Sequence, residues 1–359
     1  MSRRAAANGR RGRLSIAVVA VVTAIISASC AYLPWTERGR PADAGSGDSI
    51  RVAASPPAAA SATNFAPFAI TAGPDHAVWY GDFSTNSIGR ISLLGEVKLF
   101  PVKDGGIAER MTAGPDMAVW FTDPSSNRLG RISIDGDVAF VRLLVDNSGP
   151  AGITLGPDGN LWFTEHRADR IGRVTPLGTV TEFALAAGRG PEGIAAGTDG
   201  RIYFAESSGN RIGRISIDGQ VDEFSLPNPG SNPNGIVKGP DGNLWFTEIG
   251  NRKIGRLTPQ GEMAEFALPA DSVPMSLAAG PDNSVWVTLP AAHAVAKVAM
   301  DGHVDLFSFA ESVRPTLTTV GPDGDLWFSE PSGKIAQLTP GGVLTEFSAT
   351  PQGAAPPSG

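Results

Sequence analysis

The sequence predicts an all-β fold, a seven-bladed β-propeller with four antiparallel strands in each blade. Three observations carry that expectation. First, an aromatic residue recurs at Trp79, Trp120, Trp162, Tyr203, Trp245, Trp286 and Trp327, at steps of 41, 42, 41, 42, 41 and 41 residues. Repeats of ~40–45 residues are the length of a four-stranded blade. Second, GPDGNLWFTE stands at residues 156–165 and again at 239–248, with the near copy GPDGDLWFSE at 321–330. Third, the 359 residues include 44 Gly and 29 Pro, the turn-rich composition of an all-β chain.

The third repeat shows how each element arises. AGITL (151–155) alternates as a first strand, and GPDGN (156–160) is a turn. LWFTE (161–165) is the second strand, DRIGRVT (169–175) the third and TVTEFAL (179–185) the fourth. The turn Asp is present in every repeat, as Asp75, Asp116, Asp158, Asp199, Asp241, Asp282 and Asp323. Its carboxylate can accept from local backbone amides, and a following Gly tolerates positive φ. PLG, IDG and PQG mark the second set of tight turns. First strands are built from small residues, as in ITAG, MTAG and IAAG, which suits a crowded axis. Lys238 is the one charge among these inner positions and is expected to reach solvent. A four-stranded blade has two apolar faces. Trp and Phe of the second strand should therefore lie between blades, each ring contributing ~1.5–3 kcal/mol. The last blade can close the ring by packing on the first; SIRVAA (49–54) could instead add an outer strand.

Ahead of the repeats, residues 1–13 hold five Arg and no acid, followed by the apolar run LSIAVVAVVTAII at 14–26. That run is short for a membrane span and fits the core of a secretory signal. SASC ends at Cys30, the single cysteine, which resembles a lipoprotein cleavage and acylation site, with Ser27 where Leu is usual. Cleavage near Ala28 or an uncleaved anchor are the alternatives. Arg10 and Arg11 suggest twin-arginine export. The expected organisation is a signal at 1–29, an Ala/Pro/Ser-rich tether at 30–64, the propeller at 65–348 and a flexible tail at 349–359. Loss of the signal takes the formal charge from −7 to −12, so a nucleic-acid partner is excluded for want of a basic footprint. The expected location is extracytoplasmic and lipid-anchored at the cell membrane, with the protein monomeric.

The recurring pattern PxGIxxGPDGxLWFTExxxNxIGRITxxGxxxEF resembles the virginiamycin B lyase family across all seven repeats. The resemblance implies a propeller, and for active members a ring-opening elimination on streptogramin B antibiotics. It further implies a His after the Pro of one blade, EPH in the next with its His as general base, and Mg²⁺ held by that Glu and the Glu closing LWFTE. Such chemistry needs a base beside a carbonyl and a metal to steady developing charge. Here the slot after the Pro holds Phe68, Glu109, Ala151, Glu192, Asn234, Met275 and Thr316, with Ala108 replacing the Pro of the second repeat. No slot is His and EPH is absent. His76, His166, His293 and His303 fall in turns or loops, and His166 reads as a surface residue despite its place in TEH. The closing acid persists as Asp82, Asp123, Glu165, Glu206, Glu248 and Glu330, with Leu289 in the sixth repeat. These acids and the slot residues are expected to share one rim. A repeated salt bridge to Arg128, Arg170, Arg211 or Arg252 explains a repeated acid without metal. A Mg²⁺ held by Glu165, Glu206 or Glu248 is the alternative.

Two functions follow from this reading. One is a binding module taking a small molecule, peptide or glycan at the rim through Glu109, Arg110, Glu192, Asn234, Met275 and Arg314. The other is a carbon–oxygen lyase with Glu192 or Glu109 as a base whose pKa burial has raised. GxSxG, a Cys–His pair and nucleotide-binding loops are all absent from the sequence.

Overall fold

The structure is a computed structural model and describes residues 66–269 and 272–351. Twenty-eight strands form seven separate four-stranded antiparallel sheets, each built from four consecutive strands. The blades run from Pro67 to Pro101, Met111 to Arg142, Pro150 to Ala184, Pro191 to Ser225, Pro233 to Ala267, Leu277 to Ser308 and Thr318 to Ser348. Blade three has strands Pro150–Leu155, Leu161–Glu165, Arg170–Val174 and Val180–Ala184, within a residue or two of the sequence expectation. Two 3₁₀ turns, Lys103–Gly105 and Pro290–Ala292, complete the described elements.

Seven apolar clusters lie one at each junction between blades. Trp79 packs with Phe121, Trp120 with Phe163 and Trp162 with Phe204. Tyr203 packs with Phe246, Trp245 with Val287 and Trp286 with Phe328. Trp327 of blade seven packs with Tyr80 of blade one, which closes the ring. The second-strand aromatic therefore faces the next blade, and the residue after it faces the previous one, because successive side chains alternate.

The glycine of each IGR makes room for that backward-facing ring. A Cβ on Gly172 would stand 2.0 Å from Phe163 Cζ. Each turn Asp is bound mainly by this scaffold. Trp162 Nε1 donates to Asp158 Oδ1 at 3.0 Å, and Tyr203 Oη, in the one repeat with Tyr, donates to Asp199 Oδ2 at 2.9 Å. The third-strand cation adds a charge, as Arg90 to Asp75 at 2.5 Å. The backbone-amide role is present too, for instance Asn160 N to Asp158 Oδ1 at 3.2 Å.

Closure needs no borrowed strand among the described residues. Tyr80 Oη donates to the Ala349 carbonyl at 2.6 Å, and Ser329 Oγ donates to the Phe68 carbonyl at 2.7 Å. Ala349, expected to begin the tail, is buried and belongs to the propeller. SIRVAA, Cys30, the signal and the tether lie outside the described residues, as do residues 352–359. Lys238 is exposed, as expected.

Candidate functional site

The start of each first strand and the end of each second strand meet at one rim. Pro150 pairs with Glu165, Pro191 with Glu206 and Pro233 with Glu248. The Thr before the closing acid points to the next blade and fixes its slot. Thr164 Oγ1 donates to the Glu192 carbonyl at 2.6 Å and accepts from Gly152 N at 2.7 Å. Thr122 does the same for Ala151 at 2.7 Å, and Thr288 for Thr316 at 2.6 Å. The sequence reading missed this role, although a Thr stands beside the closing acids Asp123, Glu165 and Glu248.

The mouth so formed has two sides. Met275, from blade six, packs against the cluster holding Phe68 and Leu317, and Thr316 is buried beside them. Arg110 covers the Phe68 ring at 5.7 Å and donates to the Glu109 carbonyl at 3.0 Å. The charged side comes from blades two to four. Burial pushes the partly buried Glu109 up to about 7; Glu192 adds to the rise, while Arg110, His166 and Arg167 oppose it. His166 Nδ1 lies 3.1 Å from Glu192 Oε1, with side chains 38% and 22% exposed. His166 is thus no free surface histidine. The Glu192 contact holds its pKa above the ordinary value, against the opposite effect of burial.

Local chain geometry builds this contact. Gly190 has φ +55°, and a Cβ there would stand 3.1 Å from His166 Cε1 and 2.6 Å from Ser208 Oγ. A side chain at 190 would be strained and would push the imidazole away from Glu192. Asp169 accepts from the amides of Gly188, Arg189 and Gly190 at 2.8, 2.8 and 2.7 Å and so holds the loop that leads to Glu192. Asn210 does the same at the next junction, accepting from Ser231 N at 2.7 Å. Asn234 is partly buried in the blade-five slot, whereas Arg314 is exposed.

The closing acids stand at this rim but not in the mouth. Asp82, Asp123, Glu165, Glu206, Glu248 and Glu330 are buried inside the blades. Alternation explains the difference: each acid shares the face of the backward-pointing ring, not the face of the Thr. The expected salt bridge forms at Asp123 and Arg128, 2.8 Å apart. Asp82 instead accepts from Ser84 N and Thr85 N at 2.9 and 3.0 Å. In the Glu blades the third-strand cation turns mostly to the fourth-strand glutamate. Arg211 lies 3.4 Å from Glu223, Lys253 2.6 Å from Glu265 and Lys334 2.8 Å from Glu346.

Burial pushes Glu165, Glu206 and Glu330 up to about 7, and raises Glu248 as well. Among the described residues no three His, Cys, Asp or Glu side chains converge on one point. Glu165, Glu206 and Glu248 belong to three different blades, and in blade five the Lys253 ammonium sits 2.6 Å from the neighbouring Glu265.

A family model described as the virginiamycin B lyase family matches residues 54–189 and 185–358. A solved streptogramin B lyase is 32% identical with a TM-score of 0.73, covering 78% of this chain and 93% of its own. Virginiamycin B lyase from Staphylococcus aureus, substituted with selenomethionine, is 33% identical with a TM-score of 0.73, over 77% of this chain and 95% of that one. A catalytically inactive histidine-to-alanine variant of the S. aureus enzyme, solved with quinupristin, is 34% identical with a TM-score of 0.72, over 76% and 94%. No curated protein sequence matches the chain.

Proposed function

The chain belongs to the virginiamycin B lyase family, and from that membership we propose that its rim binds a small cyclic peptide or lactone. The observation that carries the reading is the two-sided mouth. Phe68 and Met275 offer an apolar side, and Glu109, Glu192 and His166 offer polar groups. An apolar surface with a few convergent polar groups is the ordinary make-up of a small-ligand site. The relative solved with quinupristin supports a ring-shaped ligand class.

Calorimetric titration of a streptogramin B into the purified propeller tests this. Binding is expected, at least tenfold weaker in Glu192→Gln and in Glu109→Gln. Absence of binding to the unsubstituted protein, or an affinity in both variants unchanged from it, sinks the reading. In the same proposal Cys30 carries a lipid that anchors the propeller outside the membrane. Cys30→Ala is then expected to move the protein from the membrane to the soluble fraction.

A second reading, carbon–oxygen lyase activity, is favoured by the contact of His166 with Glu192. A carboxylate that orients an imidazole readies it to move a proton. In that reading His166 takes the role that the slot residues lack. Elimination opens a lactone without adding water, so the linear product keeps the mass of the ring. Liquid chromatography with mass spectrometry of a streptogramin B after incubation separates the outcomes: an isomer of equal mass at a new retention time for elimination, the gain of one water for hydrolysis, and unchanged ring for binding alone.

A further inference from the structure

The first strands of the seven blades differ in length, and the residue after the slot divides them. They span 6 residues in blades one, three, four and five. They span 3 in blades two, six and seven, as Met111–Ala113, Leu277–Ala279 and Thr318–Val320. The dividing residue is Ala69, Gly152, Gly193 or Gly235 in the long strands, and Arg110, Ser276 or Leu317 in the short ones.

In blades three and four the next blade's carbonyl leaves no room for a side chain there. A Cβ on Gly152 would stand 2.5 Å from the Glu192 carbonyl oxygen, and one on Gly193 2.4 Å from that of Asn234. Arg110 is the largest departure from this pattern and the only charged one. Its backbone keeps the frame of the blade: Arg110 N donates to Thr122 Oγ1 at 3.2 Å, and Thr122 N to the Arg110 carbonyl at 3.0 Å. Its side chain lies at the mouth. The guanidinium carbon stands 5.7 Å from the centre of the Phe68 ring, and Nη1 donates to the Glu109 carbonyl at 3.0 Å.

A guanidinium carries several N–H donors in a rigid planar fork, and among the described residues only Nη1 is engaged. Other arginines at this end of the strands are bound to carboxylates, Arg128 to Asp123 at 2.8 Å and Arg189 to Glu223 at 2.7 Å. Arg110 has no carboxylate within ion-pair distance among the described residues. Glu109 offers it only a backbone carbonyl, and burial disfavours a charged carboxylate on Glu109. A Met or Leu would cover Phe68 as well; the free fork has a use only toward a ligand. A repeat rule broken without a packing gain marks a functional position.

We propose that Arg110 is a specificity-determining residue that receives the acyl oxygens of a lactone, and holds them best once the ring is open and they form a carboxylate. This rests on the proposed rim site and names the group read there. Either opening makes that group. Elimination breaks the alkyl C–O bond; its electron pair stays on the acyl oxygen, and the proton from the adjoining carbon goes to a base. Hydrolysis breaks the acyl C–O bond; water supplies the new oxygen, one of its protons goes to the alcohol and the other to solvent. Both products carry a carboxylate whose paired oxygens match the fork, whereas the ester offers a single carbonyl oxygen.

Calorimetric titration with two probes tests this: a streptogramin B, and the linear acid made from it by saponification. The acid is expected to bind the unsubstituted protein more tightly than the ring does. In Arg110→Gln the acid is expected to bind about tenfold more weakly, and the ring to lose less. Arg110→Lys is expected to recover part of the loss, since an ammonium keeps the charge without the fork. Arg110 is partly exposed, so both variants are expected to keep the urea midpoint of the unsubstituted protein. An acid affinity unchanged in Arg110→Gln overturns the proposal. So does an equal loss for ring and acid, which would mean that Arg110 only shapes the mouth through Phe68. Ring binding without acid binding overturns it and leaves the rim reading standing. Binding of neither probe overturns both.

Discussion

Single atoms at the rim do more than their residue types announce. Thr164 carries two hydrogen bonds, a partly buried one to the Glu192 carbonyl and a buried one from Gly152 N. Thr164→Val keeps the shape and leaves both partners unmet, so a loss of about 1–3 kcal/mol is expected in chemical unfolding. His166 gives a pH test of the same site. Its pKa is raised from 6.5 first by Glu192, so in Glu192→Gln it is expected to fall back toward 6.5, as read by NMR titration of the imidazole. The stabilisation from that contact is present below the unfolded pKa and lost as pH rises through the folded one. An unmoved titration would mean that the contact is idle. The slot residues themselves were legible, because the Pro and Gly around them frame the position. His166 was not, because its meeting with Glu192 is a contact between blades three and four, 26 positions apart, and no local pattern encodes it. The acids misled in the opposite direction. Their spacing placed them at the right rim, but strand parity turned them inward.

Strands and turns are where the sequence speaks most plainly. The turn Asp, the second-strand aromatic and the third-strand Arg recur because they bind one another, as Asp158, Trp162 and Arg173 do. The small residue in IGR is equally physical. Gly172→Ala would place a Cβ 2.0 Å from the Phe163 ring. A loss of about 1–3 kcal/mol is expected from such overpacking, measured as a lowered urea midpoint. Blade six carries Ala296 at this position, opposite Val287 in place of Phe. VAK at 295–297, in place of IGR, is therefore a compensated exchange. In blade seven Ala336 faces Phe328, and nothing in the structure explains why that ring tolerates it.

At the scale of the ring, the seventh junction is the one the chain does not make by continuity. It rests on Trp327 against Tyr80, on Ser329 to Phe68 and on Tyr80 to Ala349. Truncation after Ser348 is expected to lower the melting temperature, since it strands the buried Tyr80 hydroxyl; ending the chain after Gln352 is expected to change little. Equal melting of the two shortened chains would show that Ala349 adds nothing to closure. Blade count and fold were legible because a fixed period survives divergence. Closure was not, because it depends on side chains near both ends of the array rather than on any repeat. That every wedge is a single uninterrupted stretch has a consequence for ancestry. A gene segment of about 41 codons, copied or deleted in frame, adds or removes one complete wedge without tearing any sheet. Rings with other wedge numbers are thus one recombination step away, and the near-identical ten-residue stretches at 156–165, 239–248 and 321–330 fit such a history.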